Sequence, residues 1–327
     1  MPAIYSSVLI VSARMLIASP EKWLNILHRW QVWFLSWRCA VSLAIATGLS
    51  PGLAIAFDAL EKLPLPQPAH YEAILVAKSE IVQVFSYPGR QPIFVIDFPS
   101  LASQGRMFNR IVALIERLGV GQARVLDDNE LAKFIRSAGK TELTFAFGND
   151  FLVSELVVFF NLAEYGNIAL TKEERILRGF LLEQGLIRER FGFLQAVRSS
   201  AVILSVPQER AGGSEPPVSP LARQTILMHE ISHAEFYTNP LYRNWCRKFW
   251  REVLSDRQRN AMQAFLVRSG YDAENEELMI NEAQAYLLYT PDPRAFSAKL
   301  IGLSERELQE MRMAFQKGFP DAFLSRH

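Results

Sequence analysis

Two histidines separated by three residues, His229 and His233, with Glu230 directly after the first, constrain this chain more than any other feature. Side chains four positions apart lie on one face of a helix, one turn above the other. If the two imidazoles act together, residues 221–237 must be helical. Ile226, Leu227, Met228, Ile231 and Ala234 make that helix apolar around them, as a buried site needs. Such a pair can converge on one metal ion, with Glu230 beside it, placed to take a proton from a water that the ion activates. Zinc suits imidazole and carboxylate ligands and, when three protein groups hold it, keeps its fourth position for water. The spacing therefore predicts a Zn2+ site with His229 and His233 as ligands and Glu230 as general base.

Histidine is too scarce to complete the ligand set. Of the five in the chain, His28 and His327 lie near the two ends, and only His70 remains beyond the motif pair. A carboxylate is the better third ligand, and Glu282 is the best placed. Its segment, Leu278-Met279-Ile280-Asn281-Glu282-Ala283-Gln284-Ala285-Tyr286, is helical by pattern from near Asp272 to just before Pro291. Leu278, Glu282, Ala285 or Tyr286, and Tyr289 share one face. A lone glutamate there is costly to bury unless it is paired or bound to metal. Glu276 and Glu277, at the polar start of the helix, are weaker choices. Attack by a metal-activated water also needs a donor for the oxyanion that develops. Tyr286, one turn after Glu282, and Tyr237, one turn after His233, are the candidates, and Asn281, Glu277 or Asp150 could orient the imidazoles.

Asn281-Glu282 followed by small residues, downstream of a two-histidine helix, resembles the gluzincin group of zincin metallopeptidases. The resemblance spans the motif helix to the Glu282 helix, not the whole chain. It implies His229, His233 and Glu282 as zinc ligands, Glu230 as general base and a peptide or protein as substrate. The fold expected with it is α+β: a helix-rich zincin-like domain on a small sheet, with the motif helix at the floor of a cleft. The stretch between His233 and Glu282 leaves room for an inserted helix around residues 244–266. A non-catalytic zincin-fold protein of the envelope, binding metal or a partner, is the alternative expectation.

Residues 1–56 differ in character. Arg14, Lys22, Arg29 and Arg38 face the single acid Glu21, and an apolar run from 39 to 57 ends in Ala54-Ile55-Ala56. A basic region, an apolar stretch and a small-x-small site predict a secretory signal peptide and export to the periplasm or the outside. An uncleaved membrane anchor over residues 39–57 is the alternative, since the run is about long enough to span a bilayer. Removal of residues 1–56 would take away four positive charges and one negative one, moving the net charge from +1 to −2. It would leave Cys246 as the sole cysteine, expected to be a small buried hydrophobe. No polybasic block occurs, which argues against nucleic acid as a partner.

The proline-rich stretch at 57–70 is expected to be an extended linker, and 71–327 one catalytic domain. Strands are predicted at 73–76, 81–85, 92–98, 143–147 and 201–206, with a hairpin turn at Tyr87-Pro88-Gly89-Arg90. The strand at 201–206 is expected either to offer an edge to an extended substrate or to be an ordinary core strand. A helix is predicted over 102–118, with Met107, Ile111, Leu114, Ile115 and Leu118 on one side. Thr171 with Glu174, and Ser304 with Glu307, mark two capped helix starts. Residues 207–220, rich in Gly, Pro, Ser and Glu, read as a mobile surface loop ahead of the motif helix.

Overall fold

In the computed structural model, which describes residues 61–117 and 124–319, Val202–Pro207 (β7) is buried along its whole length and apolar but for Ser205, because both its faces are covered. It lies inside a five-stranded mixed sheet of order Gln67–Pro68, Gln83–Tyr87, Ile93–Phe98, Val202–Pro207, Asn149–Leu152. Gln67–Pro68 (β1) runs parallel to Gln83–Tyr87 (β2), which pairs antiparallel with Ile93–Phe98 (β3) across the predicted turn. β3 is parallel to β7, and β7 is antiparallel to Asn149–Leu152 (β4).

This topology corrects three expectations. The run at 201–206 is an interior strand with no free edge, and β4 is the edge beside it. Residues 143–147 form turns, and the strand begins two residues later. Residues 73–76 fall largely in a short helix, Tyr71–Leu75 (α1), whose Ile74 is buried beneath it. A four-residue apolar run has no periodicity that separates helix from strand. Within the proline-rich stretch, Leu63 is buried and β1 joins the sheet.

Alternation along the strands divides the core. Phe94, Ile96, Phe98 and Ile203 point into a layer with Leu101–Val112 (α2), Val153–Tyr165 (α4) and Lys172–Glu183 (α5). Phe85, Val95, Val202, Leu204 and Val206 point the other way, onto Leu227, Ile231 and Ala234 of the motif helix, Pro220–Thr238 (α6). Between α2 and β4 lies Asp128–Ser137 (α3). A separate cluster is formed by Pro240–Lys248 (α7), Asp256–Ser269 (α8), Glu276–Tyr289 (α9), Ala298–Ile301 (α10) and Glu305–Gly318 (α11). Two helices, α7 and α8, occupy the stretch where one was expected. Cys246 is buried among these aromatics as a free thiol.

Both predicted capping boxes form. Glu174 N donates to Thr171 Oγ1 at 3.1 Å while Thr171 N donates to Glu174 Oε2 at 2.8 Å, and Ser304 and Glu307 repeat the exchange. The loop at 207–220 is tied down rather than loose. Arg210 and Val218 form a β-bridge. Glu215 pairs with Arg210 and accepts from Leu101 N at 2.8 Å, so a loop carboxylate caps the positive end of α2.

α6 is anchored through Arg223. Its guanidinium bonds Asp97 of β3, Pro207 O at 2.7 Å and Ile74 O at 2.6 Å, all in the interior. Ser219 caps the helix through Ala222 N, with Pro220 at its first position. All described residues fall within one compact unit, and none of their helices is long and apolar enough to cross a membrane. The predicted signal peptide or anchor lies outside the described residues, as do His28, His327 and Leu118 of the predicted helix face.

Candidate metal centre

His229 and His233 project from one face of α6 toward α9, their ring centroids 4.7 Å apart. Their tautomers follow from their outer partners. His233 Nδ1 lies 2.9 Å from Asn281 Oδ1, an amide oxygen that can only accept, so Nδ1 carries the hydrogen. Gln284 Nε2 donates to the same oxygen at 3.3 Å, and Tyr242 in turn donates to Gln284 Oε1 at 2.7 Å. His229 Nδ1 lies 3.0 Å from Thr290 Oγ1, whose own hydrogen is given to Ala285 O at 3.0 Å. Thr290 therefore accepts, and His229 Nδ1 is also the protonated nitrogen. Each ring, in its neutral form, thus turns its Nε2 lone pair inward.

Glu282 meets those lone pairs. Its Oε2 stands 3.6 Å from His229 Nε2, and its Oε1 stands 3.8 Å from His233 Nε2. With both rings neutral, three acceptors converge, and buried Glu282 Oε2 has no hydrogen-bond partner. Atoms so placed repel one another unless a cation sits among them. Ligands 2.0–2.2 Å from a tetrahedral zinc ion lie roughly 3.4 Å apart, so these separations close on an ion with small side-chain adjustments. The three residues form a group that fits a metal. Burial raises the proton affinity of Glu282, but His233 and His229 outweigh it and hold the carboxyl below its ordinary value. Burial pushes His229 down, favouring the neutral ligand form. On His233 burial acts the same way, but Asp150 and Glu282 outweigh it and raise its affinity for positive charge.

Glu230 is buried beside the pair, and burial together with Asp150, Glu116 and Glu282 pushes its carboxyl well above the ordinary range. Its place exists because residue 148 is glycine: a Cβ there would collide with Glu230 Oε1 and come within 2.7 Å of its Cδ. Asp150 reaches the site by register. It pairs with Leu204, so it shares the sheet face that α6 covers, while Asn149, opposite Ser205, turns away and donates to the Ser205 hydroxyl at 2.6 Å. Asp150 Oδ1 lies 3.9 Å from His233 Nε2, and burial lifts its carboxyl to about 6. Asp150, Glu230 and His233 make a second group of metal-binding type. Both groups use His233 Nε2, whose single lone pair serves one ion, so the two are alternatives.

The predicted residues separate cleanly. His229, Glu230, His233 and Glu282 come together, and Asn281 orients His233. Glu277 and Glu276 do not join them; they pair with Arg247, at 2.6 Å, and Arg251 on the surface. Asp150 faces the inner nitrogen of His233 rather than the outer one. Tyr237 is hydrogen-bonded to Asp150. Tyr286 enters through its ring, edge-on to His229 at 4.8 Å, with its hydroxyl 3.5 Å from that of Tyr271. His70 is the N-cap position of α1 and belongs to neither group of metal-binding type.

Four contributors escaped the sequence reading: Thr290, Tyr271 (hydrogen-bonded to Glu282), Gly148 and Glu116. Glu116 sits in a π-helical turn, Ala113–Arg117, that extends α2. A lone glycine just ahead of a strand was the one available signal, since it marks a close approach.

Compared with protein-family models, curated proteins and solved structures, the chain matches none.

Proposed function

We propose that this protein is a zinc-dependent hydrolase, and specifically a metallopeptidase of zincin-like design, with His229, His233 and Glu282 as ligands and Glu230 as general base. One observation carries the reading: the Nε2 atoms of His229 and His233 stand 3.6 and 3.8 Å from the Glu282 carboxylate, whose buried Oε2 has no hydrogen-bond partner. When bound there, zinc supplies Lewis acidity, lowering the pKa of water toward neutrality and polarising a carbonyl.

The chain's own residues do the rest. Asn281 and Thr290 hold the two rings in the ligating tautomer. Glu230 takes the proton of the attacking water on its carboxylate and returns it to the leaving nitrogen. Its raised proton affinity suits the return step, and Gly148 leaves it room. Tyr237 stands beside His233 with its hydroxyl hydrogen on Asp150, from which it can swing to a developing oxyanion, whereas the Tyr286 hydroxyl lies against that of Tyr271 and only its ring edge meets His229. The outer edge of β4 pairs with no strand among the described residues and lies next to α6, so an extended peptide can add there.

Burial of the site supports a second reading. His233 is 1% and Glu282 5% exposed, as in a structural metal site. The test is a peptide-library digestion by the wild type and Glu230→Gln with zinc content measured alongside. The hydrolase reading expects cleavage by the wild type only, at equal zinc. Zinc in both, cleavage in neither, and a large loss of thermal stability on chelation would establish the structural reading instead.

A further inference from the structure

We propose that the hairpin formed by Ile187–Arg190 (β5) and Phe193–Ala196 (β6) docks on an anionic phospholipid bilayer. It stands apart from the main sheet as a two-stranded unit. Arg190 pairs with Phe193, so the loop is Phe191-Gly192, both with positive φ, 56° and 79°. That is the two-residue hairpin turn in which asparagine or glycine normally takes the first place. A phenylalanine in the left-handed region is strained by its Cβ. The fold does not recover this by burying the ring, which is 83% exposed. An exposed, strained aromatic points to use outside the fold.

The surroundings specify the partner. Strand alternation puts Arg188, Arg190, Phe193 and Gln195 on one face of the hairpin, with no acid among them. Phe193 is 59% exposed, and the Arg190 guanidinium lies 4.9 Å from the Phe191 ring centroid. Glu189 faces the other way and pairs with Arg178 at 3.3 Å. Two exposed phenyl rings at the hairpin turn, flanked by guanidiniums, match the layered chemistry of a membrane interface: rings at the headgroup–acyl boundary, cations at the phosphates. Elsewhere the chain has no polybasic block for nucleic acid, and residues 39–57 form an apolar run of bilayer length.

The test uses the full chain with Cys39→Ser, and Phe193→Cys carrying an NBD fluorophore in place of the second ring. The probe reports on the tip itself, so attachment elsewhere on the chain does not supply its signal. Phosphatidylglycerol-containing vesicles should shift its emission to the blue and raise it, and pure phosphatidylcholine vesicles should not. Arg188→Gln with Arg190→Gln should weaken the response roughly fivefold per arginine. Phe191→Asn should abolish most of the response yet raise the melting temperature by about 2 °C, because it relieves the turn. No shift with anionic vesicles, equal shifts with both vesicle types, or a shift with an oligonucleotide alone would each overturn the proposal. So would a lower melting temperature for Phe191→Asn, which would make the ring structural.

Discussion

Gly148 and Glu230 are complementary: the missing side chain of one is the space occupied by the carboxylate of the other. Glu230 fits beside the histidines only because nothing projects from residue 148. Gly148→Ala should therefore displace the base without touching the ligands. Activity should fall roughly 100-fold, the scale of a mispositioned general base, at unchanged zinc content. Steady-state kinetics beside elemental analysis checks both halves, and lost zinc would mean that Gly148 supports the fold rather than the base.

Outer partners of the imidazoles should govern metal affinity. Asn281→Ala and Thr290→Val each free one ring to rotate and change tautomer. Each should weaken zinc binding about 10–100-fold, measured by competition with a chelating dye. Glu277→Ala should leave affinity unchanged, since Glu277 is engaged with Arg247 on the surface.

The two candidate tyrosines should behave differently. Tyr237→Phe should lower kcat by about 100-fold or more at constant zinc, as the loss of an oxyanion donor does. Tyr286→Phe keeps the ring against His229 and should keep most of the activity. Equal losses would show that the Tyr286 hydroxyl also reaches the substrate.

Asp97 gives a pH signature outside the candidate metal centre. Burial lifts its carboxyl to about 6, against 3.8 for the free group, despite Arg223 and Gln208. The folded state thus binds a proton more tightly than the unfolded chain, and this group's contribution to stability falls as pH rises from about 4 through about 6. The change is on the order of 2–3 kcal/mol. Urea midpoints of the wild type and Asp97→Asn across that window should differ in slope, with the variant flatter. Parallel curves would show that Asp97 stays ionised beside Arg223. Arg223→Met should cost about 3 kcal/mol or more near neutral pH, because it leaves that carboxylate buried without its partner.

Local chemistry was legible in the sequence, and placement was not. The motif helix, the Glu282 helix and two capping boxes announced themselves, because each depends on residues three or four apart. The strand at 201–206 was recognisable by its apolar run, yet its position inside the sheet depends on β3 and β4, 50 or more residues away in each case. Asp150 could be suspected of touching an imidazole, but which nitrogen it faces is set by register with Leu204. Thr290 and Tyr271 carry no pattern of their own and reach the site only through helix ends. The loop at 207–220 looked loose by composition because the carboxylate that pins it, Glu215, acts on the distant Leu101 amide.

The central claim is that His229, His233 and Glu282 hold one zinc ion. Elemental analysis of the full chain beside Glu282→Ala tests it most directly. The account predicts about one zinc per wild-type chain and loss or marked weakening in the variant. No zinc in the wild type, even after the metal is added back, would contradict it.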